Sequence, residues 1–225
     1  MANTHQRPAQ GSDRRLVLHT YWRSSSSYRV RIALALKQVP HEVVTVNLLT
    51  HEHKSEAYMK ANNPMAHVPC LVVDGEPFIE SVAIIELLEE LYPEPALYPK
   101  SPTARAHVRA LVEIINSGTQ PFQNLSVLGR LESDDARKAW AASFIARGLG
   151  AFEALLGRRD HAGPFCCGDT MSVADVFLVP QVMGAVRFGV DLGAMPRIRR
   201  ANEAALALPA LQSARPEAQP DAPKA

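Results

Sequence analysis

Four consecutive serines, Ser24 to Ser27, lie between an apolar segment and a segment rich in helix-forming residues, where hydroxyl groups could do chemistry. A helix N-terminus leaves backbone N–H groups without partners and carries roughly half a positive charge, so it stabilises an anion. A serine hydroxyl there can donate a hydrogen bond to a thiolate, which lowers the pKa of the thiol and raises the amount of nucleophile at neutral pH. The alternative is that one serine only caps the helix.

Two further motifs could bind the backbone and the charged end of a peptide-like ligand. Val68-Pro69 follows Asn63-Pro-Met-Ala-His67, and a cis bond there would turn the Val68 backbone outward. The alternative is an ordinary trans proline, because only about 5–6% of X–Pro bonds are cis. Glu80-Ser81 begins an apolar helix, where Ser81 could hold a carboxylate at the helix N-terminus or could act only as a cap.

The elements that position these motifs follow from the residue patterns. Strands are predicted at 16–22, 41–48, 68–73 and 77–79, with Asp74-Gly75 as a hairpin turn between the last two. Helices are predicted at 28–37 and 52–61, and from Ser81 onward with one apolar face. The order β-α-β-α-β-β-α is that of a thioredoxin-like layer.

The second half of the chain contains no convincing strand and is predicted to be all-helical. Helices are expected at 104–131, 134–156, 173–187 and 197–206, and Ser172 to Asp175 fits a capping box at the start of the third. Four prolines between 93 and 102 mark a linker. The expected organisation is a disordered extension at 1–14, a thioredoxin-like domain at 15–93, a linker at 94–103, a helical domain at 104–212 and a flexible tail at 213–225.

Composition excludes several classes of protein. The 225 residues are 47% hydrophobic with a net charge of +1, so the chain can bury a core and has no basic surplus for nucleic acid or an anionic membrane. No segment reaches the roughly 18 consecutive apolar residues that span a bilayer, and the polar first 14 residues do not form a secretory signal. Three cysteines, two of them adjacent, make no disulfide framework and indicate a reducing compartment, so we expect a cytoplasmic location. The absence of C-x-x-C spacing disfavours a dithiol oxidoreductase. The His51-Glu-His53 pair points to different helix faces, and no metal site is expected.

The order of these motifs resembles that of the glutathione transferases. Ser24-Ser-Ser-Ser-Tyr-Arg-Val-Arg-Ile-Ala-Leu34 is similar to the S-S-C-S-x-R-V-R-I-A-L signature of the zeta class, the maleylacetoacetate isomerases. The resemblance extends over about residues 16–209, including the stretches 120–128, 168–175, 178–182 and 187–192. It implies the glutathione transferase architecture, an α/β domain followed by an all-α domain, and a homodimer.

The resemblance also assigns roles to particular residues. Glutathione would be the cofactor, with its thiol at Ser24, Ser25 and Ser26, its backbone at Val68 next to His67, and its γ-glutamyl end at Glu80 and Ser81. His53 would lie near the glycyl end. The helical domain would complete the site with Gln120, Asn124, Leu125 and Ser126.

Two positions depart from the family pattern. Ser26 stands where the family usually has a cysteine, and His67 stands where glutamine is common. The missing cysteine disfavours a mechanism that needs a thiol from the enzyme. It leaves unaffected a mechanism in which glutathione supplies the thiol.

The reaction implied by the resemblance is cis-to-trans isomerisation of a double bond conjugated to carbonyl groups. A small dianionic maleyl substrate needs cations for its two carboxylates, and Arg23 and Arg187 are the candidates, because the donors of arginine match a carboxylate bidentately. The alternative for each arginine is a surface or interdomain ion pair. Arg29 and Arg31 are expected to make structural contacts.

Three functions remain open from the sequence. The first is conversion of maleylacetoacetate to fumarylacetoacetate in aromatic amino-acid catabolism, which Gln123-Asn-Leu-Ser126 favours because the pyruvate enzymes carry arginines just after the asparagine. The second is maleylpyruvate isomerisation. The third is a glutathione-binding or interaction module without catalysis, which the presence of Arg23, Arg187 and the serine cluster argues against.

Overall fold

The computed structural model describes residues 14–159 and 162–224. Residues 1–13 of the expected N-terminal extension therefore lie outside the described part of the chain. Within that part, a four-stranded sheet with three helices is followed by a half that is almost entirely helical, so the expected fold class is confirmed.

The sheet has the strand order β2-β1-β3-β4. Its strands are β1 (Leu16–Thr20), β2 (Glu42–Thr45), β3 (Cys70–Val73) and β4 (Glu76–Ile79). Strand β1 pairs in parallel with β2 and antiparallel with β3, so that Leu18 lies opposite both Val43 and Leu71. The predicted hairpin turn is confirmed, since Asp74 and Gly75 both have positive φ, at 52° and 92°, as a type I′ turn requires.

Three helices accompany the sheet: α1 (Ser25–Leu36), α2 (Glu56–Ala61) and α3 (Ser81–Leu91). The helix predicted at 52–61 is divided, because Ser55 is extended and its side chain caps α2 by accepting from the Tyr58 amide. A short 3₁₀ turn, Glu52–Lys54, precedes it. Helix α1 is buried on every side from Ser27 to Leu34, between the sheet region and the helical half.

The helical half contains six helices within the described residues. They are α4 (Pro102–Asn116), α5 (Leu125–Leu128), α6 (Asp134–Gly157), α7 (Val173–Phe188), α8 (Pro196–Leu206) and α9 (Pro209–Ala214). Among the described helices, α6 alone is long and apolar enough to cross a membrane by length and composition. Its residues Ile145, Leu149 and Phe152 are fully buried in the core, which accounts for its apolar character.

The single helix predicted at 104–131 is wrong, because α4 ends at Asn116. The Thr119 hydroxyl donates to the Ile114 carbonyl at 2.6 Å, and Thr119 is fully buried against α6. A Cβ at Gly148 would overlap the Thr119 hydroxyl, so the glycine is what lets this turn approach α6. Pro121 then begins a 3₁₀ turn, and α5 follows as a separate short helix.

The flexible tail predicted at 213–225 is also wrong over its described part. Helix α9 extends to Ala214, a 3₁₀ turn follows at Pro216–Ala218, and Leu211, Ala214 and Pro216 are buried. The chain then returns to the first half of the molecule, where the Asp221 carboxylate accepts from the Trp22 amide at 3.0 Å. The amino-acid composition predicted a flexible segment here, because composition contains no information about contacts between residues 199 positions apart.

The predicted capping box at the start of α7 is confirmed. The Asp175 carboxylate accepts from the Ser172 amide and the Ser172 hydroxyl, both at 2.9 Å, and from the Cys166 amide at 2.8 Å. Asp175 is fully buried, and burial raises its pKa while these hydrogen bonds act in the opposite direction. The carboxylate therefore joins the 165–168 turn to the central helix of the helical half.

We expect Asp175→Ala to lower the free energy of unfolding by about 2–4 kcal/mol, because the substitution leaves two buried backbone amides without acceptors. Urea denaturation measures the change. Asp169→Ala is the matched control, since Asp169 is exposed and makes no side-chain hydrogen bond within the described residues; its effect should stay within about 0.5 kcal/mol. An equal loss in both variants would contradict the role given to Asp175.

Candidate active site

The serine cluster lies at the N-terminus of α1, where Ser24, Ser25 and Ser26 are half-buried and Ser27 is fully buried. Ser24 is the N-cap, and its Oγ accepts from the Ser27 amide at 3.2 Å, so its own O–H is still able to donate. Ser25 and Ser26 follow in the first turn; both are half-buried, and their hydroxyls make no hydrogen bond within the described residues. Capping and thiolate binding are therefore compatible at this terminus.

The Val68-Pro69 peptide bond is cis, which confirms the expectation. Val68 is buried in a small cluster with Tyr21, Val46 and Tyr58, close to the serine-bearing loop. The carbonyl of the exposed residue His67 accepts from the Tyr58 hydroxyl at 2.8 Å and from Asn63 Nδ2 at 3.1 Å. These contacts fix the backbone just before Val68.

Glu80 and Ser81 lie at the start of α3, as expected, but Ser81 does not occupy the N-cap position. Glu80 is the N-cap, because its carbonyl accepts the first helical bond from Ile84, and its φ of 68° is unusual for a residue with a side chain. The prediction that Ser81 caps α3 is therefore wrong. Ser81 is the first helical residue and is buried, and its hydroxyl accepts from Arg29 Nη1 at 3.1 Å. The hydroxyl proton of Ser81 and the free amides of α3 remain available to a carboxylate.

Arg29 binds the N-terminus of α3 through the hydroxyl of Ser81. Its side chain is fully buried, donates to Asn116 Oδ1 at 3.1 Å and lies over the Phe177 ring at 4.3 Å. Burial lowers the pKa of Arg29 to about 9, although the negative charges of Glu113 and Glu80 oppose this shift. The expectation that Arg29 is structural agrees with these contacts.

Arg23 and Arg187 come close together from different parts of the fold. Arg23 lies in the loop before the serines, and Arg187 lies in the last turn of α7. Partial burial and the nearby positive charge of Arg23 lower the pKa of Arg187. Neither guanidinium has a carboxylate partner within residues 14–159 and 162–224. The pair therefore forms a concentration of positive charge that an anion would neutralise.

Three histidines, His51, His53 and His67, follow the serine cluster in the sequence. His53 is half-buried in the 3₁₀ turn, and its Nδ1 is buried without a hydrogen-bond partner among the described residues. Burial, Lys54 and the two other histidines of this region, His51 and His67, lower the pKa of His53. A buried ring nitrogen in cationic surroundings suits a ligand carboxylate or amide.

The helical half contributes polar groups at the 3₁₀ turn 120–123 and at α5. Gln120 Nε2 donates to Asn124 Oδ1 at 2.7 Å, and Asn124 is the N-cap of α5. Leu125 is 57% exposed and Ser126 is exposed, so both side chains are accessible at this end of the helix. The turn is held rigidly, since Phe122 stacks on Phe144 with ring centroids 4.2 Å apart.

Arg31 and Asp221 both bind the backbone of Trp22, just before Arg23. Arg31 makes the structural contacts expected of it, whereas the role of Asp221 was not predicted, because no pattern near residue 221 signals such a contact. In the described part of the chain, no group of three or more His, Cys, Asp or Glu side chains could hold a metal ion.

The chain is similar in sequence to known proteins over nearly its whole length. The family model described as glutathione S-transferase, N-terminal domain, matches residues 18–96. A probable maleylacetoacetate isomerase of Caenorhabditis elegans is 46% identical over 212 residues, which cover 93% of this chain and 97% of that protein.

Two solved structures are similar over nearly the whole chain. The holo structure of a maleyl pyruvate isomerase, a bacterial glutathione S-transferase in the zeta class, has a TM-score of 0.90 at 42% identity, with 92% of this chain and 100% of that chain covered. A maleylacetoacetate isomerase of Anaeromyxobacter dehalogenans with glutathione bound in its active site has a TM-score of 0.84 at 48% identity, with 93% and 99% covered.

We expect the imidazole of His53 to titrate below the ordinary value of 6.5, because burial and neighbouring cations disfavour its protonated form. His53 should therefore be mostly neutral at pH 7. Proton NMR titration measures its midpoint, and the spectrum of His53→Gln identifies its signal.

Lys54→Gln should raise this midpoint, since it removes one of the cations that lower the pKa. Lys60→Gln removes the same charge from the exposed face of α2 and should leave the midpoint unchanged. A midpoint at or above 6.5 in the unmodified protein would show that the imidazole is solvated.

Proposed function

The chain belongs to the zeta class of glutathione transferases, the family of the maleylacetoacetate isomerases, and we propose that it catalyses the glutathione-dependent conversion of maleylacetoacetate to fumarylacetoacetate. The proposal covers the substrate and the residues that act on it. Glutathione is its cofactor, as the bound glutathione of the Anaeromyxobacter dehalogenans relative supports.

One observation carries the proposal: Arg187 lies close enough to Arg23, in the loop that leads into the N-terminus of α1, for the charge of Arg23 to lower its pKa, and neither guanidinium has a carboxylate partner within the described residues. Burying the carboxylates of a dianion costs several kcal/mol unless cations or hydrogen-bond donors replace the lost water. Arg23 and Arg187 would supply such cations for the substrate, and the N-terminus of α1 would stabilise the glutathione thiolate.

In the proposed reaction the glutathione thiolate adds to one carbon of the cis double bond. A new C–S bond forms, and the electron pair of the π bond moves to the conjugated carbonyl as an enolate. Rotation about the resulting single bond follows, after which the enolate electrons re-form the double bond and expel the thiolate. The reaction consumes no oxidant and no net proton, so a site of serines, arginines and a helix terminus suffices.

The residues of the site divide between cofactor and substrate. The hydroxyls of Ser24, Ser25 and Ser26 would stabilise the thiolate. The backbone of Val68, the N-terminus of α3 at Glu80-Ser81, and His53 would bind the glutathione skeleton. From the helical half, Gln120, Asn124, Leu125 and Ser126 would close the site over the bound tripeptide.

Maleylpyruvate is the second candidate substrate, because the maleyl pyruvate isomerase structure matches this chain with a TM-score of 0.90. Both substrates are maleyl dianions and would use the same arginines. The chain has Leu125 and Ser126 after Asn124, without further arginines there, which supports the acetoacetate compound as the better substrate.

We further propose a homodimer, on family grounds, and a cytoplasmic location. The location rests on the three cysteines, Cys70, Cys166 and Cys167, which are all free thiols in the described structure. A boundary between the glutathione-binding domain at 15–93 and the helical domain at 104–212 is proposed in the segment between α3 and α4, where neither helix nor strand occurs.

Steady-state assays with both maleyl compounds, each with and without glutathione, test the function. We expect turnover only with glutathione, and a higher kcat/KM for maleylacetoacetate. A higher kcat/KM for maleylpyruvate would identify maleylpyruvate as the better substrate. Glutathione binding without turnover of either compound would contradict the enzymatic proposal and favour a binding module.

Arg187→Ala should lower kcat/KM for the maleyl substrate by roughly thirty- to two-hundredfold, which corresponds to about 2–3 kcal/mol of transition-state binding. The KM should rise, because a substrate carboxylate loses its cation. Arg187→Lys should restore only part of the activity, since an ammonium replaces a planar fork. Calorimetric affinity for glutathione should barely change.

Arg199→Ala is the matched control for this substitution, because Arg199 is exposed on α8 and has no side-chain partner among the described residues. It should retain the unmodified rate. An unmodified rate in Arg187→Ala, or an equal loss of glutathione affinity, would remove Arg187 from the substrate site.

A further inference from the structure

The last described residues of the chain lie against the loop that joins β1 to α1. After α9, Pro216 is buried and the backbone turns so that Asp221 reaches Trp22. The Asp221 Oδ2 atom accepts from the Trp22 amide at 3.0 Å. Trp22 directly precedes Arg23 and Ser24, so this contact acts on the start of the proposed active-site loop.

Arg31 holds the same loop from its other side. Its guanidinium donates from Nη2 to the Trp22 carbonyl at 3.0 Å, and from Nη1 to Thr20 Oγ1 at 3.0 Å and the Tyr21 carbonyl at 3.2 Å. Its Nε donates to the Ala214 carbonyl of α9 at 2.9 Å. Trp22 is therefore bound at its amide by Asp221 and at its carbonyl by Arg31. Asp221 belongs to the C-terminal segment, and Arg31 also binds the Ala214 carbonyl of that segment.

The charges of this arrangement are complementary. Burial lowers the pKa of Arg31 to about 10, and the negative charges of Asp221 and Glu217 oppose that shift. The second carboxylate oxygen, Asp221 Oδ1, is buried and accepts no hydrogen bond within the described residues. A buried acceptor without a donor costs free energy, so a carboxylate at this position is poorly explained by stability alone.

We propose that Asp221 is a positioning residue for catalysis, because its bond to the Trp22 amide fixes the loop that presents Arg23 to the substrate and Ser24 to the thiol. This inference rests on the proposed function and extends it to a residue 199 positions away from the loop it orients. Asp221 touches neither substrate nor glutathione in this proposal and acts through Trp22. The C-terminal segment is thereby part of the active site's support.

Three variants separate the effect of the hydrogen bond between Asp221 and Trp22 from the effect of the negative charge of Asp221. Asp221→Ala removes both, Asp221→Asn keeps an oxygen acceptor for the Trp22 amide without the charge, and Glu217→Ala removes an equal charge from the same segment. Glu217 is exposed and makes no hydrogen bond to the loop, so it is the matched control. Thermal unfolding establishes that each variant is folded, and Asp221→Asn carries the test if Asp221→Ala does not fold.

Two measurements on the full chain report on positioning. Without any ligand, deuterium exchange of the peptide spanning residues 21–27 should be at least severalfold faster in Asp221→Ala than in the unmodified protein. With glutathione bound, the thiolate absorbance as a function of pH should shift to a higher apparent pKa, because the helix terminus and its serines are less well aligned with the sulfur. Asp221→Asn should recover most of both effects, and Glu217→Ala should show neither.

Isomerisation kinetics complete the test. Asp221→Ala should lower kcat by roughly tenfold and also raise the KM of the maleyl substrate, since Arg23 moves with the loop. Unchanged exchange and an unchanged thiolate profile in Asp221→Ala would overturn the proposal, whatever the activity. Faster loop exchange in a protein that isomerises no maleyl substrate would overturn the proposed function and leave the anchoring of the loop by Asp221 supported.

Discussion

Helix α1 and its C-cap residue Lys37 bury three cationic side chains, and each of them contacts a different part of the molecule. Arg29 binds Ser81 and Asn116, Arg31 binds the Thr20–Trp22 backbone and Ala214, and the ammonium of Lys37 binds the carbonyls of Tyr92 and Pro95 and pairs with Glu89 at 2.7 Å. Charged groups are stable in a core only when donors and acceptors replace their lost water. The helix can therefore occupy the centre only if α3, α4, α9 and the interconnecting segments lie where these cations reach them.

This constraint explains how the site acquires its cationic character without a basic surplus in the chain. Most of the hydrogen bonds that these buried cations donate go to neutral oxygens, as in the four bonds of Arg31 to carbonyl and hydroxyl groups, while Arg29 Nε and Nη2 have no partner within the described residues. Neither Arg23 nor Arg187 forms an ion pair with a carboxylate within the described residues. Positive potential therefore remains at the N-terminus of α1, where an anionic ligand would neutralise it.

Local chemistry was enough to predict several parts of the structure. The Asp74-Gly75 turn, the capping box of Ser172 and Asp175, and the order of strands and helices in the first half depend on residues close together in the sequence. The break after Asn116 was not predictable in this way, because it depends on Thr119 packing against Gly148 of another helix. The bond between the Ser81 hydroxyl and Arg29, 52 positions earlier, was not predictable for a related reason, because it depends on how α1 packs against α3.

The sequence by itself determined the motifs of the site, the order in which they occur and the chemistry that each of them can perform. Only the tertiary structure decided which of these groups meet. It brings Arg187 from the end of α7 toward Arg23, and it turns a segment with the composition of a loose tail into the support of the Trp22 loop. The physical reason is that capping, turns and periodicity are settled by neighbours within a few residues. The meeting of distant charges depends on how the helices pack around α1, and packing is a property of the whole chain.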